Sequence, residues 1–200
     1  MAALALGLCL AYLLVVFVLR GVLQRREFGS SGWLGGAGAT PAERVANLLF
    51  LAGCGLDLLT PVLVLSGRLR PWSPVDAAIV HAVGATLVVA AAAAAHVAQR
   101  TMGAEWRTGI DPGAPSRLVT AGPFALVRNP VYTTMVASSL GVALLVPTAL
   151  ALVAVPVCVA ALEVQTRLVE EPFLRERHGG RYRDYACAVG RFLPGIGRLR

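Results

Sequence analysis

Residues 129–162 carry no charge, a run of 34 residues preceded by Arg128 and followed by Glu163, Arg167, Glu170 and Glu171. At a rise of about 1.5 Å per residue, a helix of that length measures about 50 Å, well beyond the ~30 Å hydrocarbon layer of a bilayer. One crossing cannot use it. Val146-Pro147-Thr148 stands at its centre. A proline there removes a backbone donor and clashes with the preceding turn, so the run is expected to fold back as a helical hairpin. Such a hairpin returns its closing charges to the side its opening charges left, and brings Arg128 opposite the glutamates.

Composition agrees with a chain built for lipid. Hydrophobic residues make up 56% and charged residues 14%, whereas charged residues alone reach about a quarter of an ordinary soluble domain. The fold class expected is an all-α integral membrane protein forming one structural domain. Three transmembrane helices occupy 1–99, and 100–200 holds the hairpin with a cytosolic C-terminal binding region. The formal charge is +7 and every basic residue is arginine. These arginines are spread through loops flanking apolar runs, where they set topology and meet anionic headgroups, so nucleic acid is not an expected partner. Cys9, Cys54, Cys158 and Cys187 include no Cys-x-x-Cys pair and read as small hydrophobes, with no metal site expected.

Five apolar segments follow from this reading. Ala2 to Leu19 has its charges after it, at Arg20, Arg25 and Arg26, the reverse of a secretory signal, so it reads as a retained helix. The loop after it contains Gly36-Ala37-Gly38. With no strand before it and the third glycine of the dinucleotide fingerprint missing, it is not expected to cradle phosphate. Val45 to Leu65 is interrupted by Asp57. At mid-depth a carboxylate costs about 3 kcal/mol on insertion scales, so it must face protein or water, either as a substrate or proton contact or bonded to a neighbouring helix. Pro71-Trp72-Ser73-Pro74 then forms a turn.

Ala77 to Gln99 carries His81 and His96, too far apart along a helix to share a metal, with His96 a candidate for a polar contact. Its alanines 90–95 allow a close helix approach. Residues 100–127 form a glycine- and proline-rich connection suited to a ligand-holding loop or a plain linker. In the hairpin, the small stripe Thr134, Ser138 and Gly141 is expected to pack on the second arm, and Pro156 is expected to kink that arm. With the N-terminus outside, sixteen of the eighteen arginines fall inside, which favours five crossings and a cytosolic C-terminus; the membrane expected is a bacterial inner membrane.

Glu163, Arg167, Glu170 and Glu171 recur at helical spacing and should share one side of the last helix. That side is either an exposed, salt-bridged helix end or one wall of a polar pocket.

The ordered set Gly122-Pro123-Phe124-Ala125-Leu126-Val127-Arg128-Asn129-Pro130-Val131-Tyr132, Glu170-Glu171, Gly180-Arg181-Tyr182-x-x-Tyr185 and Arg191-Phe192-Leu193-Pro194 resembles the isoprenylcysteine carboxyl methyltransferase and phospholipid methyltransferase superfamily. The resemblance covers roughly residues 100–194. It implies a helical membrane enzyme that binds S-adenosylmethionine on the cytosolic side and methylates a lipid-borne acceptor entering from the bilayer. By position it implies cofactor-binding roles for Gly122, Pro123, Arg128, Asn129, Pro130, Tyr132, Glu170, Glu171, Tyr182 and Tyr185. Asn129 stands where many members have histidine, and an amide donates a hydrogen bond but does not titrate.

For the chemistry itself, Arg167 is expected to hold an anionic acceptor, a carboxylate by preference, with Glu163 orienting the acceptor or the arginine. Were the acceptor an amine, Glu163 would be the expected base. Two alternatives stand beside this reading: a sterol-reductase-like enzyme using NADPH, and a non-catalytic lipid-binding membrane protein.

Overall fold

The computed structural model describes residues 1–34, 40–72, 77–109, 113 and 116–199. Gly36-Ala37-Gly38, Ser73-Pro74 and Arg200 lie outside the described residues. Those residues form an all-helical bundle. Its helices are α1 (Ala2–Phe28), α2 (Pro41–Leu65), α3 (Ala78–Met102), α4 (Pro130–Leu145), α5 (Ala149–His178) and α6 (Gly180–Ala188). Helix α1, helix α2, helix α3 with its following turn, and helix α5 are each long and apolar enough to cross a bilayer; α4 is apolar but shorter, at 16 residues.

Local sequence explains the boundaries. Thr40 Oγ1 accepts the Glu43 amide at 3.2 Å and Pro41 opens the first turn of α2. Thr148 caps α5 in the same way, accepting the Ala151 amide at 3.2 Å, and Pro130 opens α4. Both are side-chain oxygens or prolines placed where a helix leaves its first amides unpaired.

The hairpin expected from the uncharged run is present: α4 ends at Leu145, Val146-Pro147-Thr148 turns the chain, and α5 runs back. The Trp72 amide donates to the Pro147 carbonyl at 2.9 Å, so the hairpin tip and the α2–α3 connection share one end of the bundle. The C-terminal ends of α1, α3 and α5 gather with the start of α4 at the other. Helix α5 continues through Pro156.

Three sequence expectations are corrected. Helix α1 does not stop at Leu19; it runs on to Phe28 and ends at Gly29, whose φ of 75° is left-handed. Arg20 therefore lies within a helix, fully buried, instead of in a flanking loop. The small stripe of α4 packs on α3 and α1, not on the second arm. Gly141 meets α3 at Gly84: a Cβ on either glycine would lie within 3.0 Å of the other's carbonyl oxygen, and Thr134 Oγ1 bonds Tyr12 of α1 at 3.1 Å. The stripe reading missed this because the matching glycine sits one to two turns before the alanine run that was expected to provide the close approach. The third correction concerns the last helix and belongs with the site.

Asp57 is bonded to a neighbouring helix, accepting from Ser139 Oγ of α4 at 3.0 Å. Gln99 Nε2 of α3 donates to the Val16 carbonyl of α1 at 2.8 Å, and His96 Nδ1 is buried without a hydrogen-bond partner. The four cysteines are free thiols.

Candidate functional site

At the end of the bundle where α3, α4 and α5 meet the C-terminal segment lies a cavity of about 220 Å³. Its frame is built around Arg128. The backbone amides of Arg128 and Asn129 donate to the carbonyls of Gly190 and Arg191, at 2.8 and 3.0 Å, tying the start of α4 to the tail. Gly190 is required at that junction because a Cβ would fall 2.2 Å from the Leu193 carbonyl oxygen. The Arg128 fork then spreads over three further carbonyls, donating from Nη1 to Ala186 and Val189 at 2.9 and 2.6 Å and from Nη2 to Gly197 at 3.1 Å.

Glu171 is the counter-charge. Its Oε1 accepts from Arg128 Nη2 and from Arg191 Nε, each at 2.8 Å, and its Oε2 accepts from Arg191 Nη2 at 3.2 Å and Arg175 Nη2 at 3.3 Å. The Glu171 and Arg128 side chains are 3% and 2% exposed, so the pair works at low dielectric, where a charge needs its partner. The hydrogen bond to Glu171 raises the Arg191 pKa above its ordinary value and keeps the guanidinium charged.

Glu170, its neighbour, faces the cavity differently. Its Oε1 accepts the Tyr132 hydroxyl in a short hydrogen bond and the Gln165 amide at 3.4 Å. Two tyrosines of α6 close the far side. Tyr185 donates to the Phe124 carbonyl at 2.6 Å, pinning the turn Gly122–Ala125. Tyr182 is buried, and burial foremost, with Glu171 nearby, pushes its pKa up to about 12.

Of the residues singled out by sequence, Arg128, Asn129, Pro130, Tyr132, Glu170, Glu171, Tyr182 and Tyr185 all border this cavity. Gly122 and Pro123 do not. They sit in the turn behind Phe124, with Gly122 (φ 58°) against Thr101.

Glu163 and Arg167 do not border it either, and this is the third correction. Their spacing is that of one face of an α-helix, but α5 makes a π-helical turn over Gln165–Glu170. The wider turn rotates the two ends of the motif apart. Arg167 pairs with Glu163 in a short contact and its side chain is 58% exposed, while Glu171 is turned inward. The four residues therefore divide into an outward pair and an inward pair instead of forming one wall. Glu163 keeps only a distant link to the frame, 4.0 Å from Arg191 Nη1.

The structure adds residues that sequence reasoning did not single out. Thr166, on the π turn, borders the cavity and is buried with its hydroxyl unpartnered. It lies one helical turn before Glu170, but a lone threonine beside a charged motif carries no signal of its own. Met102, Glu105, Trp106 and Arg107 form the wall contributed by the segment after α3. The sequence alone allows that segment to be either a ligand-holding loop or a linker. Arg128 Nε is also buried and unpartnered, a donor left over after the fork has satisfied its carbonyls and Glu171.

Comparison with known proteins gives one family. Residues 77–181, just over half of the chain, match the model of a family described as phospholipid methyltransferase. No curated protein matches.

Proposed function

Since the chain belongs to the phospholipid methyltransferase family, we propose that it transfers a methyl group from S-adenosylmethionine to a lipid-borne acceptor at the cytosolic face of the membrane it spans five times. The orientation rests on the distribution of arginines along the sequence, sixteen of the eighteen lying outside the α2–α3 connection. The fifth crossing is supplied by the short α4, carried against α3 and α5. The observation that carries the reading is the cavity itself, bordered by the Arg-Asn-Pro and Glu-Glu residues and retaining two buried polar atoms, Arg128 Nε and Thr166 Oγ1, that the fold leaves without partners. Buried polar groups are nearly always satisfied, so orphans beside a cavity fit a ligand that completes them.

S-adenosylmethionine, when bound, supplies an electrophilic methyl on a sulfonium centre. Arg128 Nε and the Asn129 amide suit its carboxylate, and Tyr182 and Tyr185 form a largely apolar enclosure around the remainder. Burial of the Arg128–Glu171 pair keeps this wall rigid and excludes water, so that alignment, the main requirement of a methyl displacement, is built in before the acceptor arrives.

The acceptor head proposed is an amine. A lipid entering from the bilayer reaches the hairpin side of the cavity, where Tyr132, Thr166 and Glu170 stand and the polar atoms are acidic or neutral oxygens. The preference for a carboxylate rested on Arg167, whose guanidinium is engaged with Glu163 and lies off the cavity wall. Glu170 is better placed than Glu163 to take the amine proton.

Membranes or lipid extract incubated with the purified protein and methyl-labelled cofactor should yield a labelled lipid whose label mild base does not release as methanol. Label released by base as methanol would mark a methyl ester and overturn the amine assignment, and absence of any labelled lipid would overturn the function. Arg167→Ala should change stability by less than about 0.5 kcal/mol, the usual range for an exposed ion pair, and should leave the methylation rate within about twofold. A loss of tenfold or more would return Arg167 to the acceptor site.

A further inference from the structure

Arg20 follows eighteen apolar residues, a position from which an arginine ordinarily extends its stem and places its charge among headgroups. It does the opposite here. Arg20 is 0% exposed, because α1 continues for two more turns beyond it and the segment after α3 closes over it. Its Nη2 donates to the Gly103 carbonyl at 2.6 Å and to Gln24 Oε1 in a short bond, and Gln24 Nε2 reaches the next carbonyl, Ala104, at 3.3 Å. The guanidinium carbon lies 5.4 Å from the centre of the Trp106 ring.

These contacts do not balance the charge. Arg20 Nε and Nη1 are buried without hydrogen-bond partners, and no carboxylate pairs with Arg20 among the described residues. One cation–π contact does not offset the desolvation of a full charge. An arginine needed there only for packing could be replaced by an apolar residue of similar volume without loss.

What Arg20 touches explains its presence. Gly103 (φ 57°) turns the chain out of α3, and the next residues, Glu105, Trp106 and Arg107, form a cavity wall. Trp106 is also held by Gly32, where a Cβ would lie 2.7 Å from the indole ring. The indole is thus fixed by the glycine on one contact and by the Arg20 cation on another. We propose that Arg20 is a positioning residue: through Gly103 and Trp106 it sets this cavity wall, and so makes affinity for the adenosyl cofactor depend on the first helix. The affinity part of this proposal rests on the cofactor reading given above.

The test uses the full chain in lipid nanodiscs with Trp33 and Trp72 changed to Phe, leaving Trp106 as the one tryptophan of the three. Without ligand, acrylamide quenching of Trp106 should rise about threefold in Arg20→Met and less in Arg20→Lys, which keeps a charge and one donor for Gly103. With S-adenosylhomocysteine as the probe, Kd measured by calorimetry should rise about tenfold in Arg20→Met and in Trp106→Phe. The double variant should be no weaker than the weaker single one, because residues acting through one contact are non-additive.

Unchanged quenching in Arg20→Met, or losses that add in the double variant, would overturn the proposal. If Arg20→Met is recovered unfolded, Arg20→Lys decides by the same two readouts, with unchanged quenching and unchanged Kd overturning it. Failure of the unaltered protein to bind S-adenosylhomocysteine would overturn the cofactor reading and the affinity part of the proposal, while the quenching comparison would still decide whether Arg20 holds Trp106.

Discussion

Glu171→Ala is expected to destabilise the protein by about 3–5 kcal/mol, the range seen when one member of a buried ion pair is removed and its partner is left uncompensated. The effect should stand at the upper end because the loss is multiple. Arg128 and Arg191 both bond Glu171 Oε1, and Arg175 and Arg191 share Oε2. Without the carboxylate, the 2%-exposed Arg128 side chain keeps its carbonyl partners but loses its counter-ion. The segment that supplies those carbonyls is then the part expected to detach, since Gly190, Arg191 and Gly197 meet the bundle at this node, with Thr133 Oγ1 donating to the Phe192 carbonyl beside it. Limited proteolysis should release a fragment from α6 onward well below the temperature at which the helical signal is lost. A variant that resists proteolysis as the unaltered protein does would show that Glu171 is not the fastener of the tail.

Glu170→Gln should act on catalysis and spare the fold. The amide oxygen can still accept the Tyr132 hydroxyl and the Gln165 amide, which both bond the same carboxylate oxygen, so the geometry of the wall is retained. What is lost is a group able to take a proton. Positioned acid–base groups contribute about 10²–10⁴-fold, and a fall of methyl transfer by at least 10² is expected at unchanged S-adenosylhomocysteine affinity. Tyr132→Phe should cost less, about tenfold, since it frees Glu170 without removing it. Equal loss of cofactor binding and of turnover in Glu170→Gln would instead place this residue with the cofactor. On the expected result the neighbouring glutamates have different signatures, Glu171 in stability and Glu170 in rate.

The hairpin was legible from sequence because its causes are local and strong: an uncharged run too long for one crossing, and a proline at its centre. The eight cavity residues were legible from their resemblance to an ordered motif, and the burial of Arg128 and Glu171 against each other fits the pairing of opposite charges brought to one end. Arg167 and Glu163 fall away from the cavity for a definite reason. A π turn inserts one extra residue per turn, and no side chain in Gln165–Glu170 announces it. Arg20 was misread because an arginine after an apolar run is ordinarily a boundary. Its burial depends on the Gly103–Glu105 turn, 83 residues further on. The Gly84–Gly141 crossing was equally invisible, since each glycine is unremarkable until the two helices are brought together.

The frame around Arg128 also dictates an order of assembly during synthesis. Its backbone and side chain are completed by carbonyls at Ala186, Val189, Gly190 and Gly197, the last of which leaves the ribosome nearly 70 residues after the arginine itself. All of the lipid-embedded helices are translated by then. A nascent chain therefore passes through insertion with the Arg128 guanidinium at the start of α4 still solvated by water and headgroups, and the frame closes only once the stretch through Gly197 has been made.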